Sequence, residues 1–332
     1  MTTNYDTTDV NTVPIAKQLS AIFRALPDKE LLNALKARTG RPGYTAEVMW
    51  KTYIAMVVLG LPTFASLIRS LQNNPMLAVA CGITDSDGIP TKYAYSRFVG
   101  KLSQPCHVVM VKDIMRNLTR SLYDTLPNFG KSVAIDSTDI KAWSNGSKNP
   151  VADPDATWAA KLDTAGKKKF YYGYKVHLIV DTTYELPVAA QVTTGSAADV
   201  RIASRVLSEA RFTTGKFYPD YVIADAGYCS RSLRLLIKRQ YRGVPIIKVN
   251  KAHKKSIFVE TEEWRALYSR RTAIERVNAR LKCYRRLNNV TVRRKQKVTV
   301  HCFLSLIVVQ AQALHNALNN QIASVRQCVS VP

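Results

Sequence analysis

The sequence predicts an α/β fold built on one mixed central sheet, preceded by an all-α N-terminal domain. Three observations predict it. Apolar residues recur every three or four positions through roughly the first 125 residues. From Lys131 onward, β-branched and aromatic runs separated by Gly, Pro and Asp alternate with helical patterns. A last amphipathic stretch, Tyr268 to Lys282, contains neither Pro nor Gly. The boundaries that follow are a helical domain over 1–127, a mixed-sheet domain over 128–322, and a tail over 323–332.

In the first domain the helical patterns cover Ile15 to Leu26, Leu31 to Leu35 and Val48 to Leu61, with Pro42-Gly43 separating two of them. Thr63 is placed to cap a helix running to about Gln72, and Pro75 to Cys81 forms a short apolar helix ended by Gly82. Thr-Asp-Ser-Asp-Gly at 84–88 and Pro90 make a turn, after which Thr91 caps a helix bearing Lys92, Tyr93, Tyr95, Ser96, Arg97 and Lys101. Helix, turn, then a basic and hydroxyl-rich helix is the outline of a helix-turn-helix DNA reader with Arg97 as a DNA contact; it is equally the outline of a bundle with a basic surface.

In the second domain, Ser132 to Ser137 reads as a buried strand ending in Asp136. Residues 141–169 are rich in Ser, Asn, Asp, Gly and Lys and read as a long mobile loop, although Trp143 and Trp158 lie within it. Phe170 to Asp181 and Leu186 to Thr194 form a hairpin through Thr182-Thr183. Asp199 to Arg211 is a helix, Tyr221 to Ala224 a strand, Ser230 to Arg239 a helix, and Val244 to Val249 the last strand. Asp181 forms a turn, Asp199 caps its helix, and His177 is structural. Three strands, helix, strand, helix, strand, helix fits the RNase H-like fold. One more apolar helix, Val300 to Asn319, closes this domain.

The charge balance points to a polyanion. Lys and Arg number 48 against 24 acidic residues, a net charge of +24, far beyond what solubility needs. Between Cys229 and Val300 there are 21 Lys and Arg against four Glu, a net of +17. Neither end offers a basic amphipathic membrane helix, and the uncharged stretch Thr52 to Ile68 is interrupted by Gly60 and Pro62 and falls short of the roughly 20 residues a membrane span needs. Nucleic acid is the expected partner and no membrane is expected. The first residues lack an export signal, and the six cysteines form no C-x-x-C pair. A cytoplasmic setting with free thiols is expected.

Between Tyr268 and Lys282, Tyr268, Arg271, Glu275 and Lys282 follow a spacing that places all four within about 60° on one continuous helix. Leu267, Ile274, Val277, Leu281 and Tyr284 form a separate apolar stripe. Tyr, two residues, Arg, three residues, Glu, six residues, Lys resembles the Y-R-E-K signature of bacterial insertion-sequence transposases with D-D-E active sites. Ile-Asp-Ser-Thr at 135–138 resembles the first acidic motif of that group, and Asp-Ala-Gly-Tyr at 225–228 the second. The resemblance covers about residues 131–320 and implies an RNase H-like catalytic domain. It implies that Asp136, Asp225 and Glu275 are catalytic metal ligands and that Tyr268, Arg271 and Lys282 contact DNA. It also implies a homodimer that brings two element ends together, acting in the bacterial cytoplasm at the nucleoid.

Acids clustered at strand ends raise one another's pKa, and divalent metals remove that cost. Oxygen-only ligands favour Mg2+ or Mn2+ over zinc. Asp139 competes with Asp136 for the first position. The 49 residues between Asp225 and Glu275 leave room for a helix, a strand and the basic loop Lys251 to Lys255, whose Lys254 and Lys255 are candidate phosphate contacts. Double-stranded DNA, as terminal inverted repeats and as target, is the expected substrate, with hydrolysis at the element ends followed by joining of 3′-hydroxyls. The alternatives are a transposase-derived DNA-binding regulator and an RNase H-like nuclease without strand transfer.

Overall fold

The structure is a computed structural model and describes residues 14–36, 43–85, 88–162, 167–249 and 260–327. Seven helices come first: α1 (Pro14–Ala25), α2 (Lys29–Leu35), α3 (Ala46–Val58), α4 (Phe64–Asn73), α5 (Pro75–Ala80), α6 (Lys92–Leu102) and α7 (Pro105–Thr125). Then follow β1 (Ser132–Lys141), β2 (Thr157–Leu162), β3 (Lys168–Asp181), β4 (Pro187–Thr194), α8 (Asp199–Thr214), β5 (Tyr221–Ala224), α9 (Arg231–Gln240) and β6 (Val244–Ile247). Helices α10 (Glu262–Ser269), α11 (Thr272–Tyr284) and α12 (Lys295–Leu318) complete the chain. It forms two compact units, one of residues 1–118, 280–292 and 296–332, the other of residues 119–279 and 293–295.

In the helical unit, threonines start the helices as their sequence positions require. Thr45 accepts from the Val48 N–H, Thr63 and Ser66 form a reciprocal capping box, and Thr91 accepts from the Ala94 N–H. Each such cap is worth about 1 kcal/mol. α3 is buried almost all round, from Met49 to Val58, as expected of a central helix without a polar face. α12 has the length and apolarity to cross a membrane, but 89% of its most apolar window is buried within the protein. Two of its buried polar side chains meet backbone carbonyls: His301 Nε2 lies 2.8 Å from the Arg286 carbonyl, and Ser305 donates to the Arg285 carbonyl at 2.6 Å. Expected to close the sheet domain, α12 instead belongs to the helical unit.

In the sheet unit the strand path is β2-β3-β1-β5-β6, with β4 also on β3. β1 is antiparallel to β3 and parallel to β5, and β5 is parallel to β6, which is the RNase H-like arrangement. Asp181 makes the expected turn, its carboxylate accepting from the backbone N–H groups of Thr183, Tyr184 and Gly130. Two expectations fail here. β1 continues past Ser137 to Lys141, and residues 141–169 are not one loop, because β2 pairs antiparallel with β3 from Thr157↔Gly173 to Leu162↔Lys168. The polar and lysine-rich composition conceals that pairing, which only the partner strand supplies.

The signature stretch is likewise not one helix. α10 ends at Ser269 and α11 begins at Thr272. Between them Arg270, Arg271, Ala273 and Ile274 each donate to the carbonyl three residues back, a tightened turn that Thr272 reinforces by donating from its hydroxyl to the Ser269 carbonyl at 3.0 Å. Tyr268 therefore stands on a different helix from Glu275. The apolar stripe survives within α11, where Ile274, Val277 and Leu281 are buried.

Candidate active site

The parallel pairing of β1 with β5 ends at Ile135↔Ala224. The next residues, Asp136 and Asp225, thus stand side by side just past the end of that pairing, Asp225 directly after β5 and Asp136 within β1, which runs on against β3 to Lys141. Asp225 caps the turn that follows by accepting from the Gly227 N–H at 2.9 Å, and Asp136 accepts from the Ser137 N–H at 2.8 Å. Burial, together with repulsion from Asp225, pushes the Asp136 carboxyl up to about 6, against the opposing pull of the Ser137 hydrogen bond and of Arg271.

Arg271 links these acids to the third. Its guanidinium hydrogen-bonds Glu275 one turn along and reaches within 3.9 Å of Asp136 Oδ2. It also lies 5.9 Å from the Tyr268 ring, which Trp264 stacks against at 4.9 Å and Lys248 approaches at 5.9 Å. Asp136, Asp225, Tyr268, Arg271 and Glu275 are thus brought into one neighbourhood of the sheet unit. Lys282 lies farther along α11, in the segment belonging to the helical unit. Lys254 and Lys255 lie outside the described residues. Arg97 is exposed on α6 with Lys92, Tyr93 and Ser96, while Lys101 donates to the Leu35 carbonyl at 2.6 Å, closing the end of α2.

The competing acids have other partners. Asp139 forms an ion pair with Lys161 at 3.0 Å. Asp199 is not a cap: Ala198 holds that position, and Asp199 pairs with Lys175 at 3.0 Å and lies 3.7 Å from His177 Nδ1. His177 is buried, which lowers its pKa to about 4, and its other ring nitrogen lies 2.8 Å from the Thr193 hydroxyl. Sequence reasoning missed Lys248 and Tyr228. Lys248 directly follows the carboxyl end of β6, the same signal that singled out Asp136 and Asp225. Tyr228 is buried near Asp136, Asp199, Asp225 and Ser137, and its hydroxyl makes no hydrogen bond of normal geometry. Only its place in the Asp-Ala-Gly-Tyr motif hinted at it.

Among the described residues no three His, Cys, Asp or Glu side chains converge closely enough to hold an ion as they stand. Asp136 and Asp225 nonetheless fit a hard cation by donor chemistry. Both are oxygen donors, neither has a lysine within ion-pair distance among the described residues, and Asp136 is buried beside a second carboxylate whose repulsion Arg271 only partly offsets. Glu275 is drawn to Arg271 instead.

The mixed sheet has the strand order of the RNase H-like class, with Asp136 and Asp225 side by side on its two central strands. The sequence matches the family described as Transposase DDE domain over residues 127–310, and a second transposase domain over residues 11–101. The chain belongs to the DDE transposases. Comparison with curated proteins returns no significant match. Among solved structures it is similar to a piggyBac transposase synaptic complex with hairpin DNA, determined by cryo-EM. That likeness has 8% identity and a TM-score of 0.47, and covers 98% of this chain and 82% of the other.

Proposed function

We propose that this transposase cleaves the ends of its element and joins the 3′-hydroxyls to target DNA, with Asp136, Asp225 and Glu275 as the catalytic acids. The observation that carries the reading is the emergence of Asp136 and Asp225 from adjacent parallel strands with Arg271 set 3.9 Å from Asp136. The three acids would hold Mg2+ or Mn2+, which supplies activation of a water or 3′-hydroxyl and stabilises the leaving oxygen. The chain's own groups have separate tasks. Arg271 pairs with Glu275, only partly offsets the charge of Asp136, and presents a planar, always-charged fork suited to a phosphate oxygen. Tyr268, held by the Trp264 stack, and Lys248 beside it offer a ring and a cation to the DNA strand.

Lys282, Lys254 and Lys255 are assigned to further phosphate contacts, and α6 with Arg97 to recognition of the terminal repeats, within a helical region over 1–127 that precedes the catalytic region. A homodimer acting on the bacterial nucleoid follows from the need to hold two ends at once. The Arg271–Glu275 ion pair is also what a DNA-binding regulator without catalysis would keep. One experiment separates the two: strand nicking and gel shift measured side by side on Asp136→Ala, Asp225→Ala and Glu275→Ala. Loss of nicking with binding retained supports the enzyme, whereas a wild type that binds without nicking in Mg2+ or Mn2+ supports the regulator.

A further inference from the structure

Among the described residues, the β2–β3 ribbon carries an exposed aromatic face. The register Trp158↔Tyr172, Ala160↔Phe170 and Leu162↔Lys168 puts Trp158, Phe170, Tyr172 and Lys168 on one face, since alternate residues share a side. Trp158 is 49% exposed and Phe170 69% exposed. Tyr172 is a prop for them. Its hydroxyl donates to the Asp153 carbonyl at 2.8 Å and its ring meets Trp158 at 5.5 Å. Lys168 is exposed beside Phe170. A soluble enzyme gains nothing from two large rings presented to water on a short ribbon; such rings mark a binding surface.

The ribbon begins where β1 stops. Gly173 pairs with both Lys141 of β1 and Thr157 of β2, and a Cβ there would fall 2.1 Å from the Ile140 carbonyl oxygen, so only glycine allows this crossing. Asp136 lies opposite Leu178 on the same β3. Tyr172 and Phe170 are thus six and eight residues along one strand from the acid, roughly 20 and 26 Å at about 3.3 Å per residue. That is about six to eight base-pair steps at about 3.4 Å each.

We propose that this face, carried by Trp158 and Phe170, is a stacking platform for unpaired bases of the DNA strand that passes the acids. The occupant follows from chemistry: rings take the faces of bases, Lys168 takes a phosphate, and a chain of net charge +24 attracts polyanions. The inference rests on DNA being the partner and not on which acids are catalytic.

The test uses the full chain, a fluorescent mixed-sequence single-stranded oligonucleotide, and its duplex form. Trp158→Ala combined with Phe170→Ala should weaken single-strand binding about 10- to 100-fold, and duplex binding by less than about 3-fold, because phosphate contacts carry the duplex. Trp158→Phe keeps a ring and should stay within about 3-fold of wild type on both. Unchanged single-strand affinity in the double variant overturns the proposal and makes the face a protein interface. Equal losses on single strand and duplex overturn it too, and so does a Trp158→Phe loss as large as that of Trp158→Ala. The readout is binding alone, so failure here leaves the assignment of Asp136, Asp225 and Glu275 untouched, and nicking tests that assignment separately.

Discussion

Two pairs of carboxylates stand on the sheet unit, and they are treated oppositely. Asp139 and Asp199 each have a lysine at 3.0 Å, Lys161 and Lys175. Asp136 and Asp225 face each other from neighbouring strands, with one arginine 3.9 Å from Asp136. A lysine pair settles a carboxylate at little net cost, whereas two acids set together remain poorly compensated unless a cation arrives. The fold settles one pair of acids with lysines and leaves the other pair poorly compensated.

The largest effect that can break this contrast is on cleavage. On the proposed reading, Asp136→Ala, Asp225→Ala and Glu275→Ala should each lower the nicking rate at least about 1,000-fold, since each would remove a ligand of the ion that stabilises charge in the transition state. Asp139→Ala should stay within about 10-fold of wild type. If Asp139→Ala is the dead variant and Asp136→Ala is active, the two have been assigned the wrong way round.

Binding should show the converse. Arg97→Ala should weaken binding to terminal-repeat DNA by about 1–3 kcal/mol if it reads a guanine edge, and leave random duplex little changed. Nicking per bound complex should be unaffected. A titration of both DNAs decides it: equal losses would reassign Arg97 to phosphate.

Stability sharpens the contrast in the metal-free protein. The Asp136 carboxyl has its pKa raised to about 6 from an ordinary 3.8. Its contribution is therefore fully present below about pH 4 and is lost as pH rises through about 6. Asp136→Asn, which cannot ionise, should be more stable than wild type at pH 7.5 by on the order of 2 kcal/mol, and the gain should vanish near pH 4. Chemical denaturation at the two pH values checks this, and a variant less stable at pH 7.5 would show Asp136 to be compensated after all. The smallest effect belongs to the settled pair: Lys161→Ala should cost less than about 1 kcal/mol, because the lysine is largely exposed and screened by solvent.

The strands that carry Asp136 and Asp225 were legible because apolar runs, Val-Ala-Ile before Asp136 and Val-Ile-Ala before Asp225, mark buried strand, although β1 runs on past Asp136 to Lys141. The RNase H-like strand order was readable for the same reason. The break before Thr272 was not, since a three-residue tightening barely disturbs helical periodicity and depends on a hydroxyl-to-carbonyl bond. β2 was hidden because its ladder needs the extended start of β3, whose Lys168 and Lys169, following Lys167, read as loop. Charge counting also overstated the basic surface. Arg285 and Arg286 are buried, donating to the Val58 carbonyl at 2.9 Å and the Pro62 carbonyl at 3.1 Å. Composition cannot distinguish an arginine that meets phosphate from one that ties off a helix end.

The interleaving of the two units bears on how the chain acquires its structure during synthesis. The helical unit begins with residues 1–118 and is completed only by 280–292 and 296–332. α1 to α6 therefore leave the ribosome long before α12, the helix that buries its apolar length within the same unit. The intervening residues 119–279 can form their sheet in the meantime. A folded insert shortens the span whose ends must meet, so the late segment closes over a preorganised connection rather than a long flexible one. Until then the early helices keep unsatisfied apolar faces, and a transcript truncated before Lys295 would yield a nascent product with exposed greasy surface, a natural substrate for chaperones and proteases.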